Sequence, residues 1–155
     1  HCISSAASDV YKRQGILSLR LSGAQAAVDA AVRLIGGEVL PDASCWEELR
    51  EQRQPFFGGE DALWRLSLPS TTGPVALGGV QVIEWGGAQR WLRTDLDAAT
   101  IRRSVSALGG HATLFRGGDK SVGVFQPLQP AVARIHERLK QAFDPAHIFN
   151  PGRMY

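Results

Sequence analysis

Cysteine, charge of one sign and long apolar runs are all scarce in this chain of 155 residues. The two cysteines, Cys2 and Cys45, match no metal-ligand spacing and build no disulfide framework, so a reducing compartment is the simplest reading. Nothing approaches the roughly 20 consecutive apolar residues that cross a bilayer. Seventeen basic residues stand against 15 acidic ones, a net charge of +2 that predicts neither a nucleic-acid stripe nor a polybasic membrane anchor. The glycine doublets Gly58-Gly59, Gly78-Gly79, Gly86-Gly87 and Gly117-Gly118 are scattered and lack the spaced pattern of a dinucleotide-binding loop. What is present is a globular composition, 44% hydrophobic and 21% charged, in a length that buries one core and so predicts a single domain.

Residues 1–14 differ from the remainder of the chain. They show neither strand alternation nor helical period, they have no initiating Met, and they lack the apolar stretch of a signal peptide. The segment resembles adaptor-derived leaders and is expected to lie outside the fold as a non-native or unstructured leader, with residues 15–155 as the folded domain.

From Ile16 onward the chain is regular. Leu17, Leu19 and Leu21 alternate with polar residues, as in a half-buried strand. Ser22 can cap a helix carrying Val28, Ala31 and Ile35, stopped by Gly36-Gly37. Ser44 opens a shorter helix. Trp64, Leu66 and Leu68 mark a second strand, Val80 to Trp85 a third, and Gln89 to Arg93 its hairpin partner across Gly86-Gly87. Asp95 or Asp97 caps a helix with Ile101, Val105 and Leu108, a strand spans His111 to Arg116, and a last helix begins at Pro130 with Val132, Ile135, Leu139 and Phe143 on one face. This order predicts an α+β fold: a ferredoxin-like, split β-α-β sheet with an extra hairpin strand and a C-terminal helix. Helices on one side of such a sheet leave its other face to be covered by something else.

Several residues are chemical candidates, each with a plainer alternative. In Asn150-Pro151-Gly152-Arg153, Pro151 restricts the backbone, Gly152 permits close approach, and Arg153 offers a fork for a phosphate, a carboxylate or a flavin carbonyl; an ordinary C-terminal turn has the same composition. His111 can polarise a substrate or act as a base, its ordinary pKa being about 6.5, or it is a strand-edge histidine satisfied by backbone. Arg116 can bind a carboxylate or be an exposed strand residue. Glu84 and Trp85 can line a cofactor face, with core packing the favoured reading for Trp85, and Trp46, Trp64 and Trp91 are expected in the core. His136 and His147 have no metal-ligand partner at helical spacing, and no metal is expected.

Beyond these readings, the blocks Trp64-Arg65-Leu66-Ser67-Leu68-Pro69, Ile83-Glu84-Trp85-Gly86-Gly87, Gly109-Gly110-His111-Ala112-Thr113, Phe115-Arg116-Gly117-Gly118, Phe125-Gln126-Pro127-Leu128 and Phe149-Asn150-Pro151-Gly152-Arg153-Met154-Tyr155 resemble the FAD-binding small subunit of bacterial glycolate oxidase (glycolate dehydrogenase). The closing Asp-Pro…Asn-Pro-Gly-Arg pattern is shared with the wider FAD-linked oxidases of the vanillyl-alcohol oxidase type. The resemblance covers roughly residues 16 to 155. It implies that residues 15–155 are the C-terminal cap or substrate domain of a larger subunit whose N-terminal domain, absent here, holds most of the FAD. It further implies that Asn150, Gly152 and Arg153 contact the cofactor, and that the protein oxidises glycolate or a similar 2-hydroxy acid to glyoxylate. Electrons would pass through FAD to an acceptor by way of partners, an FAD-binding large subunit and an iron-sulfur subunit. The place implied is the cytoplasm, or the inner face of the cell membrane by way of those partners, with no nucleic acid bound. The reading from another class is a stand-alone ferredoxin-like module that binds a ligand or dimerises without catalysis.

Overall fold

The structure, a computed structural model, describes residues 7–13, 16–40, 42 and 44–152. The elements in order are strands β1 (Ala7–Arg13) and β2 (Ile16–Ser22), helices α1 (Gln25–Ile35) and α2 (Ser44–Arg50), strands β3 (Leu63–Ser67), β4 (Val80–Glu84) and β5 (Gln89–Arg93), helix α3 (Ala98–Ala107), strand β6 (His111–Arg116) and helix α4 (Pro130–Phe143). Six strands form one sheet in the order β2-β1-β4-β5-β3-β6, with every neighbouring pair antiparallel.

The ferredoxin-like part is β3, β4, β5 and β6. Strands β3 and β4 run the same way with β5 inserted between them, and α3 carries the chain from β5 to β6 on the far side of β3. The α+β, split-unit architecture is therefore present, with one difference in assignment. The alternating segment Ile16–Ser22 does not open the split unit through α1; it lies at the sheet's outer edge, hydrogen-bonded to β1. The first crossover of the split unit, residues 68–79, contains no helix.

A crossover without a helix has backbone groups to satisfy, and the buried Arg90 and half-buried Gln81 do it. The guanidinium of Arg90 donates to the carbonyls of Gly73 (2.8 Å), Thr72 and Gly87 (3.3 Å), and Gln81 Nε2 donates to those of Val75 (3.1 Å) and Leu77 (3.2 Å). Val75 and Leu77 then join Trp64, Leu66, Leu92, Ile101, Val105, Ala112 and Leu114 in a core between α3 and one sheet face. Arg93 does similar work on the other face, donating to the carbonyls of Phe56, Phe57 (2.7 Å) and Asp61 (2.6 Å). This pins the short 3-10 segment Pro55–Gly58, whose Phe56 and Phe57 pack with Leu49, Leu63, Val82 and Trp91 in a second, smaller core. Gly79 is required beside it, because a Cβ there would lie 2.1 Å from the Arg93 carbonyl oxygen.

The helix signals locate most ends correctly. Asp97, not Asp95, caps α3, its carboxylate accepting from the Thr100 amide at 2.9 Å. Gly36 ends α1, but Ser22 does not cap it; Ala24 stands at that position with no side-chain cap. Ala7–Arg13 departs from the expectation that residues 1–14 stay outside the fold. It pairs along its whole length with β2 and at two positions with β4, Lys12 to Ile83 and Arg13 to Val82. A free edge of N–H and C=O groups pairs with extended chain whatever its side chains, so absence of a hydrophobic pattern does not prevent strand formation there. Helix α4 forms as predicted, yet its apolar stripe is uncovered among the described residues, Val132 being 41% exposed and Phe143 82%.

Candidate functional site

Strand alternation and register decide what shares the sheet face opposite α3. Leu63, Arg65 and Ser67 of β3 point away from the Trp64–Leu66 side, and their partners fall into rows across the sheet. One row reads Glu84, Gln89, Ser67, His111; the next reads Val82, Trp91, Arg65, Thr113. Helix α2 and the Pro55–Gly58 segment cover the Val82–Trp91 part of this face. Ser67 and His111 remain exposed and Arg65 half-buried.

At one end of the face is an open pocket of about 510 Å³, walled by Trp46, Trp85 and Trp91 with Glu84, Gln52 and Gln89 among its polar groups. Arg20 stacks on the Trp46 ring at 5.3 Å. The Glu84 carboxylate is buried and accepts from Trp91 Nε1 at 2.8 Å and from Gln89 Nε2, so it fixes the pocket floor. Trp91 is wedged edge-on between Phe57 (5.6 Å) and Phe115 (4.8 Å). A volume of this size lies within the ordinary range for small-molecule sites.

Trp85 is not a core residue. It is 68% exposed and adopts φ 54°, directly before Gly86 (φ 60°) and Gly87 (φ 99°). The hairpin bond from the Ala88 amide to the Trp85 carbonyl (3.2 Å) closes a turn whose central residues are the two glycines, which take left-handed conformations freely. A bulky side chain in the same conformation costs about 1–2 kcal/mol. Sequence reasoning missed this because an indole beside a hairpin reads as packing material.

Of the residues that the sequence marks as candidates, His111 begins β6 on the open face, opposite Ser67. Arg116 is already engaged: Nη2 donates to Gln52 Oε1 at 2.7 Å and Nη1 to the Phe57 carbonyl at 3.3 Å, which ties the end of β6 to the segment after α2. Asn150 and Gly152 are exposed in the segment after α4, at φ 47° and 67°; Arg153 lies outside the described residues. That segment is held by Asp144, whose carboxylate accepts from Lys140 Nζ and from the amides of Ile148 (2.9 Å) and Phe149 (3.0 Å). Lys140 Nζ also donates to the Phe149 carbonyl at 2.5 Å. The Lys140 hydrogen bond first, and the two amides with it, lower the Asp144 pKa from 3.8 to about 2. No group of three or more metal-ligating side chains converges among the described residues, and none of their helices is long and apolar enough to cross a membrane.

The residue overlooked in the sequence is Arg65. It lies mid-face between Trp91 and Thr113, and its guanidinium makes no hydrogen bond or ion pair with any described residue. Alternation alone places it on the polar side of β3, where an arginine is unremarkable until the register shows that the same face stays open.

The blocks that carried the resemblance have definite places: the β3 block crosses the open face, the Glu84-Trp85 block walls the pocket, and the His111 block completes the polar row. The chain is a relative of a glycolate oxidase subunit. Over 139 residues, 90% of this chain, it is 47% identical to "Glycolate oxidase subunit GlcE" of Escherichia coli (strain K12), as the sequence blocks indicated. The match spans 39% of that protein's length. No family model matches the chain, and no solved structure does.

Proposed function

We propose that this chain is the cap portion of an FAD-dependent subunit of a glycolate oxidase, which oxidises glycolate or a similar 2-hydroxy acid to the 2-oxo acid and passes electrons to partner subunits or another acceptor. The observation that carries this reading is the 47% identity to a glycolate oxidase subunit across 90% of the chain. The open sheet face fits a cap, because its exposed polar row and aromatic pocket are ready to face another body.

The residues suit completing a flavin site rather than holding one. There is no glycine-rich phosphate loop in the sequence. The segment after α4 presents Asn150 and Gly152 exposed and in left-handed conformations. Asn150, Gly152 and Arg153 would contact the cofactor, whose larger part the rest of the subunit would hold. FAD would supply hydride acceptance, and this chain's residues would orient the substrate and exclude water. His111 is the candidate to hold or accept the substrate hydroxyl proton. Arg116, bonded to Gln52 and Phe57, serves the substrate carboxylate only if those bonds open. Iron-sulfur and large flavin subunits are the partners in this reading, with the assembly in the cytoplasm or on the inner membrane face.

The test compares this chain alone with a chimera in which it replaces the matching 139 residues of the E. coli subunit. The chain alone should retain no stoichiometric FAD and show no glycolate-dependent dye reduction, and the chimera with its partner subunits should show both. A yellow, active preparation of the chain alone would contradict the reading.

A further inference from the structure

An arginine without a partner, in the middle of a sheet face, is an unusual use of that residue here. Arg90, Arg93, Arg102 and Arg116 each donate to backbone carbonyls or side chains of this chain. Arg65 donates to none of the described residues. It is half-buried, between Trp91 and Thr113 on the sheet face.

Its surroundings on that face suit an anion. Arg65 pairs across β3–β6 with Thr113, and Ser67, two residues on, pairs with His111. Arg65 and His111 are therefore diagonal neighbours on one face of an antiparallel pair, with Cα atoms about 7–8 Å apart, within mutual reach of long side chains. Ser67, opposite His111 and two residues along from Arg65, shares that face and is exposed. The one carboxylate in these rows, Glu84, is two strands from Ser67 and already accepts from Trp91 and Gln89. The patch thus offers a forked cation, an imidazole and a hydroxyl to the outside, with no competing acid.

We infer that Arg65, with His111 and Ser67 beside it, is a binding site on the open face for the carboxylate of a small 2-hydroxy acid. The planar guanidinium takes the carboxylate bidentately, and the diagonal spacing sets His111 over the adjacent carbon and its hydroxyl. This rests on the reading under Proposed function for the identity of the acid. The same cation could meet an anion from the cofactor's phosphates, and the two sources are separable by experiment.

In the chimera with the E. coli subunit, Arg65→Gln should raise the KM for glycolate by about 10-fold or more while flavin content stays at the unmodified level, as loss of one charge-assisted contact predicts. Arg65→Lys, which keeps the charge but not the fork, should fall between the two. On the 155-residue chain, sodium glycolate should raise the melting temperature, neutral glycolamide should not, and Arg65→Gln should abolish the glycolate effect. An unchanged KM in Arg65→Gln, or equal stabilisation by glycolamide, overturns the inference. A loss of flavin with unchanged KM overturns it too, and assigns the anion to the cofactor. An unmodified chimera that holds no flavin and oxidises no glycolate instead removes the reading on which the inference rests.

Discussion

Arg90 and Asp144 are charged groups whose partners are mainly backbone, and that makes them sensitive in different ways. Arg90 is 2% exposed and holds the carbonyls of Thr72, Gly73 and Gly87; removing it unties the crossover and empties the space its side chain fills. Arg90→Met should therefore cost on the order of 3 kcal/mol, read from the denaturant midpoint of the 155-residue chain, with Arg90→Lys recovering little of it. Asp144 titrates low because the carboxylate form is the one that Lys140, Ile148 and Phe149 hold. A depressed folded-state pKa means a contribution present above the unfolded value, near 3.8, and lost as pH falls through about 2. Amide-exchange protection at Ile148 and Phe149 should thus be constant above about pH 4 and collapse below it, and Asp144→Asn should show no such step. Trp85 makes the opposite case. Replacing it with Asn, which tolerates a left-handed backbone, should leave the chain as stable or up to about 1 kcal/mol more so; a large loss of stability would show that the indole packs after all.

At the scale of elements, most of the fold is visible in the sequence because β3 carries a two-residue alternation, the Gly86-Gly87 hairpin joins β4 to β5, and helices α1, α3 and α4 have start or stop signals. Trp64 and Leu66 against Arg65 and Ser67 are unambiguous, and so are Gly36-Gly37 after α1 and Pro130 before α4. Pairing is what alternation does not encode. Ile16–Ser22 has the pattern of a half-buried strand, but nothing local says that it belongs at the sheet edge beside Ala7–Arg13 instead of beside β3. The connection from Ser70 to Gly79 reads as turn-rich and helix-free in the sequence, but what holds it does not, since Arg90 reaches the carbonyls of Gly73 and Thr72 from strand β5. The site suffered the same blindness: His111 was visible from its glycine neighbours, whereas Arg65 became notable only when the register put it beside His111 on an open face. Helix α4 carries the amphipathic pattern without a partner surface among the described residues. Ile135→Lys with Leu139→Lys should change the chain's unfolding free energy by no more than about 0.5 kcal/mol, because both side chains are more than half exposed, while reducing its self-association in light scattering.

For the whole molecule, two surfaces ask for something beyond the described chain: the polar, aromatic face of the sheet and the apolar stripe of α4. The E. coli relative is the longer protein, with this chain spanning 39% of its length, and a flavin-holding remainder would meet both surfaces at once. The sheet core, sealed by α3 and the stapled crossover, needs no such cover, so this chain should fold without cofactor, and on the proposed reading the flavin chemistry would need the remainder of the longer protein. Glycolate-dependent dye reduction by the chimera, assembled with the E. coli partner subunits and set beside the parent subunit, tests this most directly. Turnover comparable to the parent's, abolished when this chain is deleted from the chimera, is the expected result. A chimera that is folded and fully loaded with FAD yet inactive toward glycolate, beside an active parent, would contradict it.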